Sequence, residues 1–172
     1  TPKNIVTPEM RTGKANSPRG RAIWLANNLQ FEFIHVQRQR FWGFNKIWVN
    51  SWQQVNVTDP ERTALDLIAR PDIFGGISAA FEILESALNQ INLTTLIEYT
   101  IRYDMGSVIK RMGWILEKLG VDRDALEPLR AYPVSNYILL DSTLQSQSIR
   151  PKQAISLNKN NYWKIIENLK DF

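Results

Sequence analysis

The hydrophobic spacing of this chain changes once, near residue 58, from a period of two to a period of about 3.6 residues, and that switch limits what the chain can fold into. Before it, Phe31, Phe33 and His35 alternate with Glu32, Ile34 and Val36, which predicts a strand over FEFIHV (31–36). KIWVN (46–50) and QVNV (54–57) read as two short strands about a turn at Asn50-Ser51, and AIWLA (22–26) as a further strand. At the switch stands Thr58-Asp59-Pro60-Glu61, a helix start in which Asp59 caps with Pro60 at the first helical position, or Thr58 caps with Glu61 closing a capping box.

Beyond it, Ala64, Leu65 and Ile68 share one helical face, and Arg62 and Asp66 form an i,i+4 pair on another. Arg70-Pro71 stops that helix, because the residue before proline avoids the α region, and Gly75-Gly76 permits a tight turn. Helical spacing resumes over 77–90. A third helix, opened by Thr94 or Thr95, carries Leu96, Ile97 and Ile101. A fourth carries Val108, Ile109, Met112, Leu116 and Leu119, with Gly120 just past its end, and a short fifth covers Arg123 to Leu129. After Pro133 the segments YILLD (137–141), AISL (154–157) and YWKII (162–166) read as strands. Strands, then about five helices, then strands completing the sheet is an α+β order. Residues 1–20, rich in Pro, Gly, Ser and Thr, read as an extended or irregular arm, and 21–172 as a single domain.

Which chemistry this chain can host is narrowed by what it lacks. With no cysteine, neither disulfides nor thiolate metal sites are available, in keeping with a reducing cytoplasm, the expected location. His35 is the only histidine, which excludes histidine triads and clusters of histidine ligands. No metal or cofactor is expected. There is no G-x-x-x-x-G-K-[ST] and no G-x-G-x-x-G to cradle a phosphate. A nuclease of the PD…(D/E)-x-K kind fails because none of the nine lysines has a carboxylate two positions earlier. Gly106-Ser107 with Asp122-Arg123-Asp124 mimics the spacing of a nucleotidyltransferase metal pair, but these carboxylates flank Arg123 after a helix end, where Asp122 reads as the cap of the fifth helix. The chain is therefore expected not to be an enzyme. No stretch approaches the ~18–20 apolar residues of a membrane helix, and the N-terminus lacks the apolar core of a signal peptide. The absent initiator Met points to a trimmed chain or an excised domain.

The net charge of +4 is unevenly placed: residues 1–58 hold eight basic side chains against two acidic, +6, while the other 114 hold 13 against 15, −2. Such asymmetry suits a polyanion-facing surface, DNA or RNA, although solvated strand edges also favour Lys and Arg. The candidate contacts are Lys14, Arg19, Arg21, Arg38, Arg40 and Lys46, with Arg38 and Arg40 on one strand face before Phe41-Trp42-Gly43-Phe44. Lys110, Arg111 and Lys118, read as the solvent side of the fourth helix, extend the stripe. Most of the tryptophans and phenylalanines between 24 and 52 are expected to be core or edge packing.

Several blocks together resemble a known family. FEFIHV followed by Phe41-Trp42-Gly43-Phe44, then Val57, Asp59, Pro60, Glu61, Arg62, Thr63, Leu65 and Asp66, then Arg70-Pro71 and Gly75-Gly76-Ile77, is similar to the C-terminal antitoxin domain of AbiEi-family abortive-infection proteins. Tyr99, Arg102, Val108, Lys110, Arg111, Gly113, Leu116, Glu117, Leu119 and Gly120 resemble a later helix of that family, and YILLD its late strand. The resemblance spans roughly residues 30–145. It implies a non-catalytic antitoxin of a type IV toxin–antitoxin system, countering a nucleotidyltransferase toxin without requiring a stable complex with it. Two departures stand out: no winged helix-turn-helix pattern is readable in residues 1–30, and the tail LNKNNYWKIIENLKDF lacks the usual R-W…V-N strand. The other reading is a DNA-binding transcriptional autorepressor, or a fragment of one lacking its winged helix-turn-helix.

Overall fold

The computed structural model describes residues 22–26, 29–33, 36–146 and 158–169. The chain divides into two units, Thr1–Trp42 and Gly43–Phe172, with the boundary inside the basic-aromatic stretch.

In the first unit, β1 (Ala22–Ala26) and β2 (Leu29–Phe33) pair antiparallel, with Trp24 opposite Phe31. The expected strand over 31–36 therefore lies earlier in the sequence, and Ile34 and His35 fall outside the described residues. The described part of the unit ends in a 3-10 turn, Arg38–Arg40, closed by hydrogen bonds from Arg40 N to Gln37 O and Phe41 N to Arg38 O.

The second unit begins with an antiparallel hairpin, β3 (Phe44–Asn50) and β4 (Gln53–Thr58), and continues into helices α1 (Pro60–Ala69), α2 (Ile77–Ala87), α3 (Leu93–Tyr103), α4 (Gly106–Lys118) and α5 (Glu127–Ala131). Three short strands close it: β5 (Ile138–Leu139), β6 (Asn158–Asn160) and β7 (Ile165–Glu167), in the order β5-β7-β6, with β5 parallel and β6 antiparallel to β7. The class is α+β, with these last strands pairing among themselves rather than with the hairpins. AISL (154–157) lies outside the described residues, and Tyr162–Lys164 form the turn before β7 rather than part of a strand.

The core is helical. Leu65 and Ile68 of α1, Leu84 of α2, Leu96 of α3 and Met112, Ile115 and Leu116 of α4 are fully buried. Every residue from Val108 to Leu116 is buried, so α4 is enclosed on all sides. Trp163, at the β6–β7 turn, lies against α4 at Gly113, where any added Cβ would overlap its ring. Its indole N–H donates to Glu117 on the same helix.

The 57–77 block holds this core together. Asp59 caps α1 by accepting from Arg62 N at 2.7 Å, and its second oxygen accepts from the Tyr99 hydroxyl of α3 at 3.0 Å. The alternative capping box is not used. Glu61 instead accepts from Asn92 N at 2.6 Å, at the start of α3, where Asn92 rather than a threonine is the cap. Arg62 is buried and donates through Nε to both oxygens of Asp66. Pro71 is buried past the C-cap Arg70, and Gly75 and Gly76 both have positive φ, 88° and 95°. Gly76 also makes room for the buried Asp141 carboxylate, which accepts from Ile77 N at 2.9 Å and so satisfies the start of α2. The family-like residues Asp59, Pro60, Glu61, Arg62, Asp66, Pro71, Gly75 and Gly76 are architectural.

Candidate nucleic-acid interface

The β3–β4 hairpin is a two-stranded ribbon exposed on both faces. Residues paired across an antiparallel ladder point to the same side. One face therefore carries Phe44, Lys46 and Trp48 opposite Thr58, Asn56 and Gln54, and the other carries Asn45 and Ile47 opposite Val57 and Val55, while Val49 stands at an irregularity of the ladder between Trp48 and Asn50. Trp48 is 62% exposed, Trp52 in the turn 86%, and Ile47, Val49, Val55 and Val57 are all exposed. The expectation that the aromatics here are core or edge packing is corrected for these two tryptophans and for Phe41, which is also exposed. A two-stranded ribbon has only one neighbour per strand, so its rings have no second layer to enter.

The ribbon is rooted at Gly43. Its carbonyl accepts from Asp59 N at 3.1 Å, and with φ at +74° a Cβ there would press on Arg62 Cβ at 2.9 Å. Glycine after Phe41-Trp42 thus lets the hairpin meet the start of α1. Exposed tryptophan beside lysine and side-chain amides is a chemistry that takes up bases by stacking and phosphates by charge.

The basic residues expected to work together are not assembled into one stripe. Lys14, Arg19 and Arg21 lie outside the described residues. Arg38 and Arg40 do not share a strand face: in a 3-10 turn of about three residues per turn, positions two apart diverge by about 120°. Lys46 is exposed on β3. Lys118 is exposed and lies over the Trp114 ring, 5.3 Å from its centroid.

Lys110 and Arg111 correct the sequence reading outright, for both are buried. Lys110 Nζ donates to the carbonyls of Leu129 at 3.1 Å and Arg130 at 2.5 Å, satisfying oxygens that the end of a short helix leaves free. Arg111 donates through Nε and Nη2 to Leu139 O, at 3.1 and 3.0 Å, and fixes β5 to α4. Burial pulls the Arg111 guanidinium below its ordinary pKa, against the opposing pull of Asp141. These cations join elements of the fold and are not part of an outer face.

Of the two carboxylates that mimic a metal pair, that of Asp122 is committed locally. Asp122 accepts from Asp124 N at 2.8 Å in a turn, and α5 begins only at Glu127, so Asp122 is not its cap. Among the described residues there is no cluster of three or more metal-ligating side chains, and no helix is long and apolar enough to cross a membrane. No family model, curated protein or solved structure matches the chain.

Proposed function

We propose that this chain is the non-catalytic, antitoxin-like domain of a type IV toxin–antitoxin system, that it counters a nucleotidyltransferase-type toxin in the cytoplasm, and that its working surface is the β3–β4 hairpin. The observation that carries this reading is the outward placement of Trp48 and Trp52 beside Lys46, in a chain whose motif carboxylates and cations are otherwise consumed by internal hydrogen bonds. The AbiEi-like order of Phe41-Trp42-Gly43-Phe44 and the Asp59–Asp66 block supports it further, since this block roots the hairpin on the helices. A surface of stacking rings, one lysine and amides engages RNA or DNA, and so needs no stable complex with the toxin.

Co-expression with the toxin encoded beside it is the direct test. The intact chain is expected to restore growth, and the Trp48→Ala, Trp52→Ala double variant to lose that rescue while remaining folded. Failure of the well-folded intact chain to rescue would sink the proposal. The same face also supports the autorepressor reading. In that case, operator DNA binds with a steep inverse salt dependence. Stacking of one base contributes about 1–3 kcal/mol, so Trp48→Ala weakens binding by roughly 5- to 150-fold. Growth rescue without DNA binding separates the two.

A further inference from the structure

Beside α4, the segment after α5 and the β6–β7 turn line an open cleft of about 450 Å³ whose walls include Lys110, Arg130, Tyr132, Ser135, Asn161 and Lys164. Its size falls in the range of small-molecule pockets, about 300–1,000 Å³. What distinguishes it is the sign of its lining.

Lys110 is 3% exposed, and two of its three N–H groups are taken by the Leu129 and Arg130 carbonyls, leaving one. Lys164 spends one N–H on Val134 O at 2.7 Å and keeps two. Asn161 accepts the Tyr137 hydroxyl on Oδ1, so its amide N–H groups remain as donors. Arg130 is paired with Glu127 through Nε and Nη2, and the neighbouring Asp104 is already bonded to the Tyr132 hydroxyl. Among the described residues neither Lys110 nor Lys164 has a carboxylate partner. The wall therefore offers spare donors and two ammonium groups with no carboxylate in contact.

Two further observations point the same way. Lys164 has φ of +53°, a left-handed conformation that a long side chain adopts only at a cost and that the surroundings must enforce. Burial first, and then the charges of Lys164 and Arg130, hold the Lys110 ammonium below its ordinary pKa against the opposing pull of Glu127. An anion in the cleft relieves that repulsion.

We propose that this cleft binds a phosphate monoester, either free phosphate or the 5′-phosphate of a nucleotide, held by Lys110, Lys164 and the Asn161 amide. It is separate from the hairpin surface and does not depend on that surface's role. Thermal unfolding of the full chain at fixed ionic strength tests it. Phosphate is expected to raise the Tm saturably relative to chloride, because a ligand that binds only the folded state stabilises by mass action. Adenosine monophosphate binding at least tenfold more tightly than phosphate assigns a nucleotide; equal affinity assigns phosphate alone.

Lys164→Asn keeps a residue that tolerates the left-handed backbone while removing the charge, and should weaken binding at least tenfold. Asn161→Asp, which can still accept the Tyr137 hydroxyl, places a carboxylate against the ligand and should abolish binding even if the first variant folds poorly. A phosphate effect no larger than that of chloride, or one unchanged in Asn161→Asp, overturns the proposal.

Discussion

Helix α4 and the β3–β4 hairpin reverse each other's surface logic. On α4 two cations are buried and bonded to main-chain carbonyls, whereas on the hairpin two tryptophans and four branched aliphatic residues are exposed. Residue type alone would have put each set where the other is. The difference lies in neighbours. α4 is surrounded by α1, α3, α5 and β7, so even its polar positions are enclosed and must find partners inside, and they do: among the described residues no buried side-chain N or O lacks one. A two-strand ribbon has no such surroundings, so its apolar positions stay outside. On this reading stability is concentrated on α4 and the proposed binding on the hairpin, and four variants can break or sharpen that contrast.

The largest effect belongs to Gly113. Gly113→Ala puts a Cβ into the Trp163 ring, which must withdraw from its pocket and from Glu117. We expect a loss of about 3 kcal/mol by denaturant unfolding, despite the better helix propensity of alanine. The effect should vanish in the Trp163→Ala background, since no ring is left to displace. Additive losses in that double-mutant cycle would break the claim that this contact closes the core.

Next in size is Arg111→Met, which keeps the buried stem but leaves Leu139 O unsatisfied. A buried acceptor stripped of a charged donor costs about 1–3 kcal/mol, so the urea midpoint should fall clearly. A change within about 0.5 kcal/mol, the range of ordinary surface substitutions, would mean that the cation sits in solvent after all.

A smaller, pH-dependent effect lies on β7, where Glu167 accepts from the indole of Trp114 on α4. Burial alone would raise Glu167, but hydrogen bonds from Trp114, Asn158 and Asn160 and the charge of Lys118 outweigh it and leave its pKa below the ordinary 4.5. The unfolded chain therefore takes up this proton more readily. The stabilisation is complete above about pH 4.5 and is lost as pH falls through the lower folded-state value. Glu167→Gln should therefore lower stability at neutrality and converge with the unsubstituted chain in acid, which flattens the acid limb of stability against pH. An unaltered acid limb counts against that hydrogen-bond set.

These examples also show what was legible in the sequence. The start of α1 was readable because Asp59 and Pro60 act within four residues of one another, and a cap is a local event. Gly75-Gly76 and Arg70-Pro71 were readable for the same reason. The depth of Lys110 and Arg111 was not, because their partners lie 19 to 28 residues away in the chain. A signal for it was present nonetheless: Trp114 and Ile115, with Gly113, interrupt what would otherwise be a polar side, and a helix apolar nearly all round is an enclosed one. The hairpin's strands followed from period two, but not their exposure, since alternation reports a strand and not whether a second layer covers it. Arg38 and Arg40 were misplaced because two arginines one residue apart satisfy a strand face and a short 3-10 turn equally well.

The smallest expected effect on stability is also the most informative about function. Trp48→Ala with Trp52→Ala removes two large side chains that have 62% and 86% of their surface in solvent. Neither leaves a cavity, and the ladder between β3 and β4 is made by main-chain bonds that alanine keeps. The unfolding midpoint should therefore shift by no more than about 0.5 kcal/mol for each substitution, while the growth rescue or nucleic-acid affinity assigned to this face is lost. If instead the pair costs several kcal/mol, as burial of aromatic rings would require, the tryptophans are covered in the folded protein. The hairpin then belongs with α4 as part of the core, and the working surface has to be sought at the basic cleft.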